Sequence, residues 1–234
     1  MKDIKELKKH SASVTILLHL VPGLINIAVY ASILPLAKKS GVTLITAYYL
    51  TVLASILPVQ LSTMIFVDFN IFKLIPCLKK SKVFEYLAFT VVFVAYVALL
   101  ARYKSIENNY IWFVPAFKWS ESTLTEFSKG SLIFTSILGM FTHGIIAPLT
   151  EEFYFRGYLL SRINLSPFWA VVVNTALFSL YNFFSPWGLS SRLFIMLPVY
   201  YWVMKKNNIK FSIVAHMSAN LFYSSINLIA VLSM

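Results

Sequence analysis

Two adjacent carboxylates, Glu151 and Glu152, follow a long apolar run in the sequence. The surrounding segment, 149–160, is otherwise largely aromatic or aliphatic and also contains Arg156. A charged side chain at membrane depth costs about 2.5 to 3.5 kcal/mol on insertion, so carboxylates there indicate a functional site. In an α-helix Glu152 and Arg156 can form an ion pair on one face, whereas Glu151 is rotated by about 100°. The spacing predicts a structural Glu152–Arg156 pair and a free carboxylate, Glu151, that can act as a general base.

The same segment has a simpler interpretation, in which both carboxylates belong to a solvated helix end beside Arg156 and Arg162. His143 precedes Glu151 by about two helical turns and can flank the same cavity. His19, in the first apolar run, is expected to hydrogen-bond to a neighbouring helix.

His216 and Asn220 form a second polar pair, in the last apolar run. They are one helical turn apart, so they lie on one face. An isolated histidine in a membrane helix is often only a hydrogen-bonded core residue, but the asparagine one turn later favours a convergent polar site. Both side chains can donate hydrogen bonds to a developing oxyanion.

Asn182 ends a third polar pattern, which begins at Phe178. Its amide can orient a water molecule or donate to a carbonyl. The alternative is an interhelical hydrogen bond worth about 1 kcal/mol. Asn174 lies two turns earlier on roughly the same face.

These residues must be positioned by membrane helices. Apolar residues make up 59% of the chain and charged residues 12%, against about 25% charged in soluble domains. The composition predicts an all-α fold, a polytopic transmembrane helical bundle of about seven spans, or eight, that forms a single membrane-embedded domain over 1–234. The fourth span is expected to run past its apolar part. The predicted spans are 14–36, 42–67, 83–101, 132–149, 168–184, 193–204 and 212–233.

The net charge of +11 is distributed in short basic clusters between the apolar runs. This pattern orients membrane helices and does not indicate nucleic-acid binding, so the lipid bilayer is the expected partner. The clusters predict a multi-pass protein of the cell membrane with a cytoplasmic N-terminus and an external C-terminus. The loop 102–129 carries aromatic residues and is expected to lie in the membrane interface. The short Lys- and Asn-rich loops suggest a bacterial chain.

The order Glu-Glu-x-x-x-Arg, Phe-x-x-x-His and His-x-x-x-Asn on successive late helices resembles the CPBP intramembrane metalloprotease family. That family includes CAAX prenyl endopeptidase-like proteins and Abi proteins of bacteriocin processing or self-immunity. The resemblance covers 132–220, which we predict to be the catalytic core. The first and third motifs are intact, at 151–156 and 216–220, but Asn182 stands where the family usually has histidine.

The resemblance implies that Glu151 activates the attacking water, with support from Glu152 and Arg156. His216 and Asn220 would then polarise the scissile carbonyl, and Asn182, preceded by Phe178, would position water without sharing its proton. Because asparagine is a poor zinc ligand, no cofactor is expected to be required. A divalent metal such as zinc, disfavoured by Asn182, would have Glu151 and His216 as ligands.

Three classes of function follow from these patterns. The leading prediction is an intramembrane endopeptidase that hydrolyses a peptide bond in a small or membrane-associated peptide or protein, as in CAAX processing, bacteriocin or pheromone processing, or self-immunity. The alternative is a non-proteolytic immunity or regulatory scaffold that binds a membrane partner through the same polar cavity. An ion-coupled transporter is less favoured, because the sequence has no visible repeat or pair of interrupted helices.

Overall fold

The computed structural model describes residues 8–66, 83–101, 126–183, 189–206 and 208–234. Within these ranges the chain forms an all-helical bundle, as predicted. We number its helices in chain order. They are α1 (Ala12–Lys39), α2 (Leu44–Phe66), α3 (Val83–Ala101), α4 (Lys129–Arg162), α5 (Pro167–Tyr181), α6 (Leu189–Lys206) and α7 (Lys210–Leu232).

Each predicted span coincides with one of these helices. Three of them, α1, α2 and α4, are long and apolar enough to cross a membrane. Helix α4 continues past the predicted end at 149 to Arg162, so both glutamates lie inside it. The predicted interfacial loop and the basic cluster at 73–82 lie largely outside the described residues, and the orientation of the chain stays a prediction.

Side chains at the helix starts satisfy backbone amides that have no partner within the helix. Ser11 accepts a hydrogen bond from the Val14 amide at the start of α1, and Ser128 does the same for Ser131 at the start of α4. Helix α5 begins with Pro167, whose missing N–H costs nothing in a first turn. These local signals determine where the helices around the glutamates begin.

Helix α4 changes between α- and π-helical geometry along its length. Its π-helical segments are Thr142–Ile146 and Glu152–Leu159, and α2 contains another at Val52–Ile56. Glu151 is the last residue of a short α-helical segment and Glu152 the first of a π-helical one. Such π-helical turns occur frequently at functional sites.

Hydroxyl and amide side chains fix α2 against its neighbours. The Asn26 amide of α1 donates to the Ser55 hydroxyl of α2 at 2.8 Å. At the start of α2 the Thr43 and Thr46 hydroxyls lie 3.1 and 2.7 Å from the Thr135 hydroxyl of α4. These contacts join α1, α2 and α4 on one side of the bundle.

Helix α4 lies at the centre, in contact with α1, α2, α5 and α7. The described surface is rich in exposed apolar side chains, such as Leu17, Leu36, Phe194 and Ile229. Polar side chains are buried instead, among them His19, Gln60, Glu152, Arg156 and Asn174. Apolar residues outside and ionisable groups inside are the arrangement expected in a lipid bilayer.

Candidate active site

The two glutamates of α4 are both buried but have different surroundings. The side chain of Glu152 is fully buried, and 11% of the Glu151 side chain is exposed. The predicted ion pair is present, with Nη1 of Arg156 at 3.2 Å from Oε1 of Glu152. Glu151 is not part of that pair, so the two carboxylates can have separate roles.

Three side chains from three helices converge on Oε1 of Glu152, one through an ion pair and two through hydrogen bonds. Besides Arg156 of α4, they are the Tyr200 hydroxyl of α6 at 3.3 Å and Nδ1 of His216 of α7 at 2.9 Å. Because a carboxylate only accepts hydrogen bonds, this contact assigns the imidazole hydrogen to Nδ1. Glu152 is therefore held by charge and hydrogen bonds and fixes one face of the imidazole.

Aromatic rings enclose the guanidinium of Arg156. Its central carbon lies 4.0 Å from the centre of the Phe178 ring and 3.5 Å from that of Tyr200. A cation over an aromatic face is stabilised by the ring electrons, most strongly where water is excluded. Phe178, predicted to support the site, covers Arg156.

Glu151 is contacted through both of its oxygens. Oε1 accepts a hydrogen bond from the Tyr181 hydroxyl of α5 at 3.0 Å. Oε2 lies 3.8 Å from Nε2 of His216, which is too long for a direct hydrogen bond. A water molecule placed beside this gap could lie within hydrogen-bond distance of both atoms.

The two predicted asparagines donate to backbone carbonyls. Nδ2 of Asn182 donates to the Phe178 carbonyl at 3.0 Å, in the last turn of α5. Nδ2 of Asn220 donates to the His143 carbonyl of α4 at 2.8 Å. The His143 ring stacks near Tyr49, with ring centres 6.3 Å apart. The structure thus brings Glu151, Glu152, Arg156, Phe178 and His216 together.

Asn220 supplies the hydrogen-bond donor that α4 itself lacks for the His143 carbonyl. The Ala147 amide binds the Thr142 carbonyl, and the next residue, Pro148, has no N–H. In an α-helix the His143 carbonyl would accept from the amide of residue 147, and in a π-helix from that of residue 148. Asn220 of α7 provides this hydrogen bond instead.

Sequence reasoning did not identify Tyr181, Tyr200 or Gln60. The Gln60 amide of α2 donates to the Tyr181 hydroxyl at 3.4 Å and is fully buried. Two signals were available: Tyr181 lies one turn after Phe178, on the same face, and Gln60 is a polar residue inside an apolar run. No sequence pattern marked Tyr200 as a site residue, because the adjacent Tyr201 was an equally good candidate.

His19 connects α1 to α4 and α5, as expected of a histidine that bonds to neighbouring helices. Nδ1 lies 2.6 Å from the Thr15 carbonyl, and Nε2 lies 3.0 Å from Nδ2 of Asn174. The same amide nitrogen donates to the Phe155 carbonyl at 2.9 Å. These bonds fix the π-helical turn that follows the glutamates.

The donor set at the site bears on metal binding. Across the part of the chain that the structure describes, no group of three or more His, Cys, Asp or Glu side chains is arranged to hold a metal ion. A catalytic zinc is usually bound by three protein ligands. Glu151 and His216 face each other, but Glu152 is occupied by Arg156.

Comparison with known proteins confirms the predicted resemblance. Residues 133–222 match the family model described as type II CAAX prenyl endopeptidase Rce1-like. A segment of 82 residues is 34% identical to the UPF0177 protein YxdF of Lactococcus lactis subsp. lactis (strain IL1403); it covers 35% of this chain and 46% of that protein. No solved structure matches the chain significantly. The family match and the three long apolar helices indicate a membrane protein similar to endopeptidases.

Proposed function

We propose that this protein is an intramembrane endopeptidase in which Glu151 activates water to hydrolyse a peptide bond. The observation that carries the proposal is the asymmetry of the glutamate pair. Glu152 is bound by Arg156, Tyr200 and His216, whereas Glu151 is partly exposed and has one oxygen turned toward His216. Two carboxylates in unequal surroundings are typical of sites where one is the base and the other structural.

The reaction starts with a water molecule beside Oε2 of Glu151 and Nε2 of His216, hydrogen-bonded to both. Glu151 accepts a proton as the water oxygen attacks the carbonyl carbon, which gives a tetrahedral intermediate with a negative oxygen. Glu151 then returns the proton to the amide nitrogen, and the C–N bond breaks to release an amine and a carboxylic acid. His216 orients the water because Glu152 holds its opposite nitrogen.

The negative oxygen needs a hydrogen-bond donor. The Asn220 amide uses one N–H for the His143 carbonyl and has a second N–H available. We assign stabilisation of the intermediate to this second N–H. Asn182, whose amide binds the Phe178 carbonyl, has a different role: it ends α5 and fixes the turn that carries Tyr181.

This route uses no metal ion. Among the described residues, two possible metal ligands face the proposed water, Glu151 and His216. A catalytic zinc usually has three protein ligands. The carboxylate can take the proton itself, so a metal is not needed to activate the water.

The substrate is a peptide or protein that reaches the site from the membrane. From Lys210 to His216 helix α7 rises about 9 Å, so the site lies close to the basic end of the bundle. The positive-inside rule assigns that end to the cytoplasm. The name of the matched family makes prenylated CAAX peptides the first substrates to test, and bacteriocin or pheromone precursors the second.

The test is cleavage by the purified protein in detergent, followed by mass spectrometry. The substrates are a farnesylated peptide ending in a CAAX sequence, the same peptide without the lipid, and a small precursor peptide. Glu151→Gln should lower cleavage at least about 100-fold, the contribution of a general base. Glu85→Gln, which changes an exposed carboxylate on α3, is the matched control. Cleavage by Glu151→Gln at the parental rate would exclude the mechanism.

A second function is favoured by one observation, the asparagine at 182. If this protein binds a membrane partner without hydrolysis, the histidine usual at that position is not needed. Protection or regulation that survives combined Glu151→Ala and His216→Ala would support this scaffold role and exclude the peptidase role for that activity.

A further inference from the structure

We infer that Tyr181 is a positioning residue, which holds one oxygen of Glu151 and thereby turns the other toward His216. The inference deepens the proposed function, because it matters for catalysis only if Glu151 is the base. The contact itself can be tested without any substrate.

The hydrogen bond between Tyr181 and Glu151 is buried. The hydroxyl lies 3.0 Å from Oε1, and Tyr181 is 1% exposed. A bond from a neutral donor to a buried carboxylate is stronger than one in water, because the surroundings have a low dielectric constant. It fixes the carboxyl group about its last rotatable bond and leaves Oε2 for the proposed water.

Gln60 determines the direction in which the Tyr181 hydroxyl donates. Its amide nitrogen donates to that hydroxyl oxygen at 3.4 Å. A hydroxyl that accepts from an amide on one side directs its own hydrogen elsewhere, here toward Glu151. The side chains of Gln60, Tyr181 and Glu151 thus form a chain of two hydrogen bonds from α2 through α5 to α4.

The ring of Tyr181 is held by other aromatic residues. It lies 4.9 Å from the Phe155 ring and 6.1 Å from the Phe178 ring, measured between centres. Both partners belong to the core that covers Arg156. Movement of the Tyr181 ring would therefore disturb the packing around the ion pair.

The backbone around Tyr181 is fixed from several sides. Nη2 of Arg192 on α6 lies 3.4 Å from the Ser179 carbonyl and 3.5 Å from the Asn182 carbonyl. Gly23 of α1 packs directly on the Tyr181 carbonyl, with no room for a side chain. Helices α1 and α6 thus fix the backbone that carries the Tyr181 hydroxyl, whose partner is Glu151.

The alternative is that Tyr181 serves only as a packing residue. Phenylalanine would then replace it without any effect on Glu151, since the ring is the same and only the hydroxyl is lost. A positioning role predicts a chemical change at the carboxyl group.

The probe is dicyclohexylcarbodiimide, an apolar reagent that adds to protonated carboxyl groups in non-aqueous surroundings. The full-length protein in detergent is labelled at neutral pH, and mass spectrometry measures the N-acylurea on the peptide that contains Glu151. Glu151→Gln gives the background from Glu152 in the same peptide. Tyr154→Phe is the matched control, because the Tyr154 hydroxyl donates to the Leu18 carbonyl at 2.7 Å and to neither glutamate.

Tyr181→Phe should raise Glu151 labelling about tenfold, the worth of one hydrogen bond to a charged group. Tyr154→Phe should leave it unchanged. If Tyr181→Phe does not fold, Gln60→Met carries the test and should raise labelling about threefold, because the hydroxyl loses only its orienting partner. Equal Glu151 labelling in the variant and the parent, including none in both, would overturn the inference.

The labelling result is independent of hydrolysis. If Glu151→Gln still cleaves peptides but Tyr181→Phe raises labelling, the proposed function fails and the Tyr181 contact stands. If Glu151→Gln is inactive and labelling does not respond to Tyr181→Phe, the proposed function stands and the positioning role fails.

Discussion

Nδ1 of His216 lies 2.9 Å from Oε1 of Glu152, and this contact links the first and last polar motifs of the chain. It fixes the imidazole so that Nε2 points toward Glu151. A carboxylate that orients a histidine for work at its other nitrogen is a common arrangement in hydrolases. Here that carboxylate is also the partner of Arg156, so the same residue holds both the guanidinium and the imidazole.

Loss of Arg156 should destabilise the protein strongly. Arg156→Met leaves the fully buried Glu152 without its cation, and breaking a buried ion pair from one side costs about 3 to 5 kcal/mol. Thermal unfolding in detergent should show a large fall in Tm. Lys205→Met, which removes an exposed cation, should change stability by less than about 1 kcal/mol. An Arg156→Met protein as stable as the parent would contradict the assigned role.

Two glycines provide a matched test of the packing behind Tyr181. In Gly23→Ala the added methyl would overlap the Tyr181 carbonyl, so α1 and α5 must separate. We expect a loss of about 1 to 3 kcal/mol in stability and lower peptide cleavage, because Tyr181 moves away from Glu151. Gly130→Ala has nothing within 4 Å of the new methyl. Its stability should stay the same or rise by about 1 kcal/mol, the helix preference of alanine over glycine. Equal behaviour of the two variants would refute this account.

Removal of metal ions should leave the hydrolysis intact. After dialysis against EDTA and 1,10-phenanthroline, the cleavage rate should match that of the untreated protein. The reason is that Glu151 can take the proton from water and that Glu152, the carboxylate next to it, is bound to Arg156. Activity lost on chelation and restored by added zinc would require a different mechanism.

The sequence predicted features that depend on local spacing. Hydropathy located the helices, and the spacing of Glu152 and Arg156 predicted their ion pair. Contacts that depend on how distant helices pack were not predictable. Tyr200 of α6 reaches Glu152, and Gln60 of α2 reaches Tyr181, and no pattern around either residue specifies that.

The sequence also does not show which group an asparagine side chain binds. The spacing of Asn182 and Asn220 marked both as polar residues near the site, but not which groups they bind. Asn182 donates to a main-chain carbonyl of its own helix. Asn220 donates to the His143 carbonyl, which is open because Pro148 of α4 has no N–H. The catalytic role of Asn220 stays a prediction, whereas we assign Asn182 to the end of α5.

Asn220 offers a way to separate structure from catalysis. Asn220→Ala removes the donor to the His143 carbonyl and should cost about 0.5 to 1.5 kcal/mol, because Pro148 and Ala147 leave that carbonyl without a helical amide. Adding Pro148→Ala restores a backbone N–H one π-helical turn later, so the double variant should regain most of the lost Tm. Pro148→Ala alone is the control and should keep both Tm and cleavage near the parental values.

If the second N–H of Asn220 stabilises the intermediate, the rescued double variant should remain at least about 100-fold slower in cleavage. Recovery of both Tm and cleavage would instead give Asn220 a purely structural role.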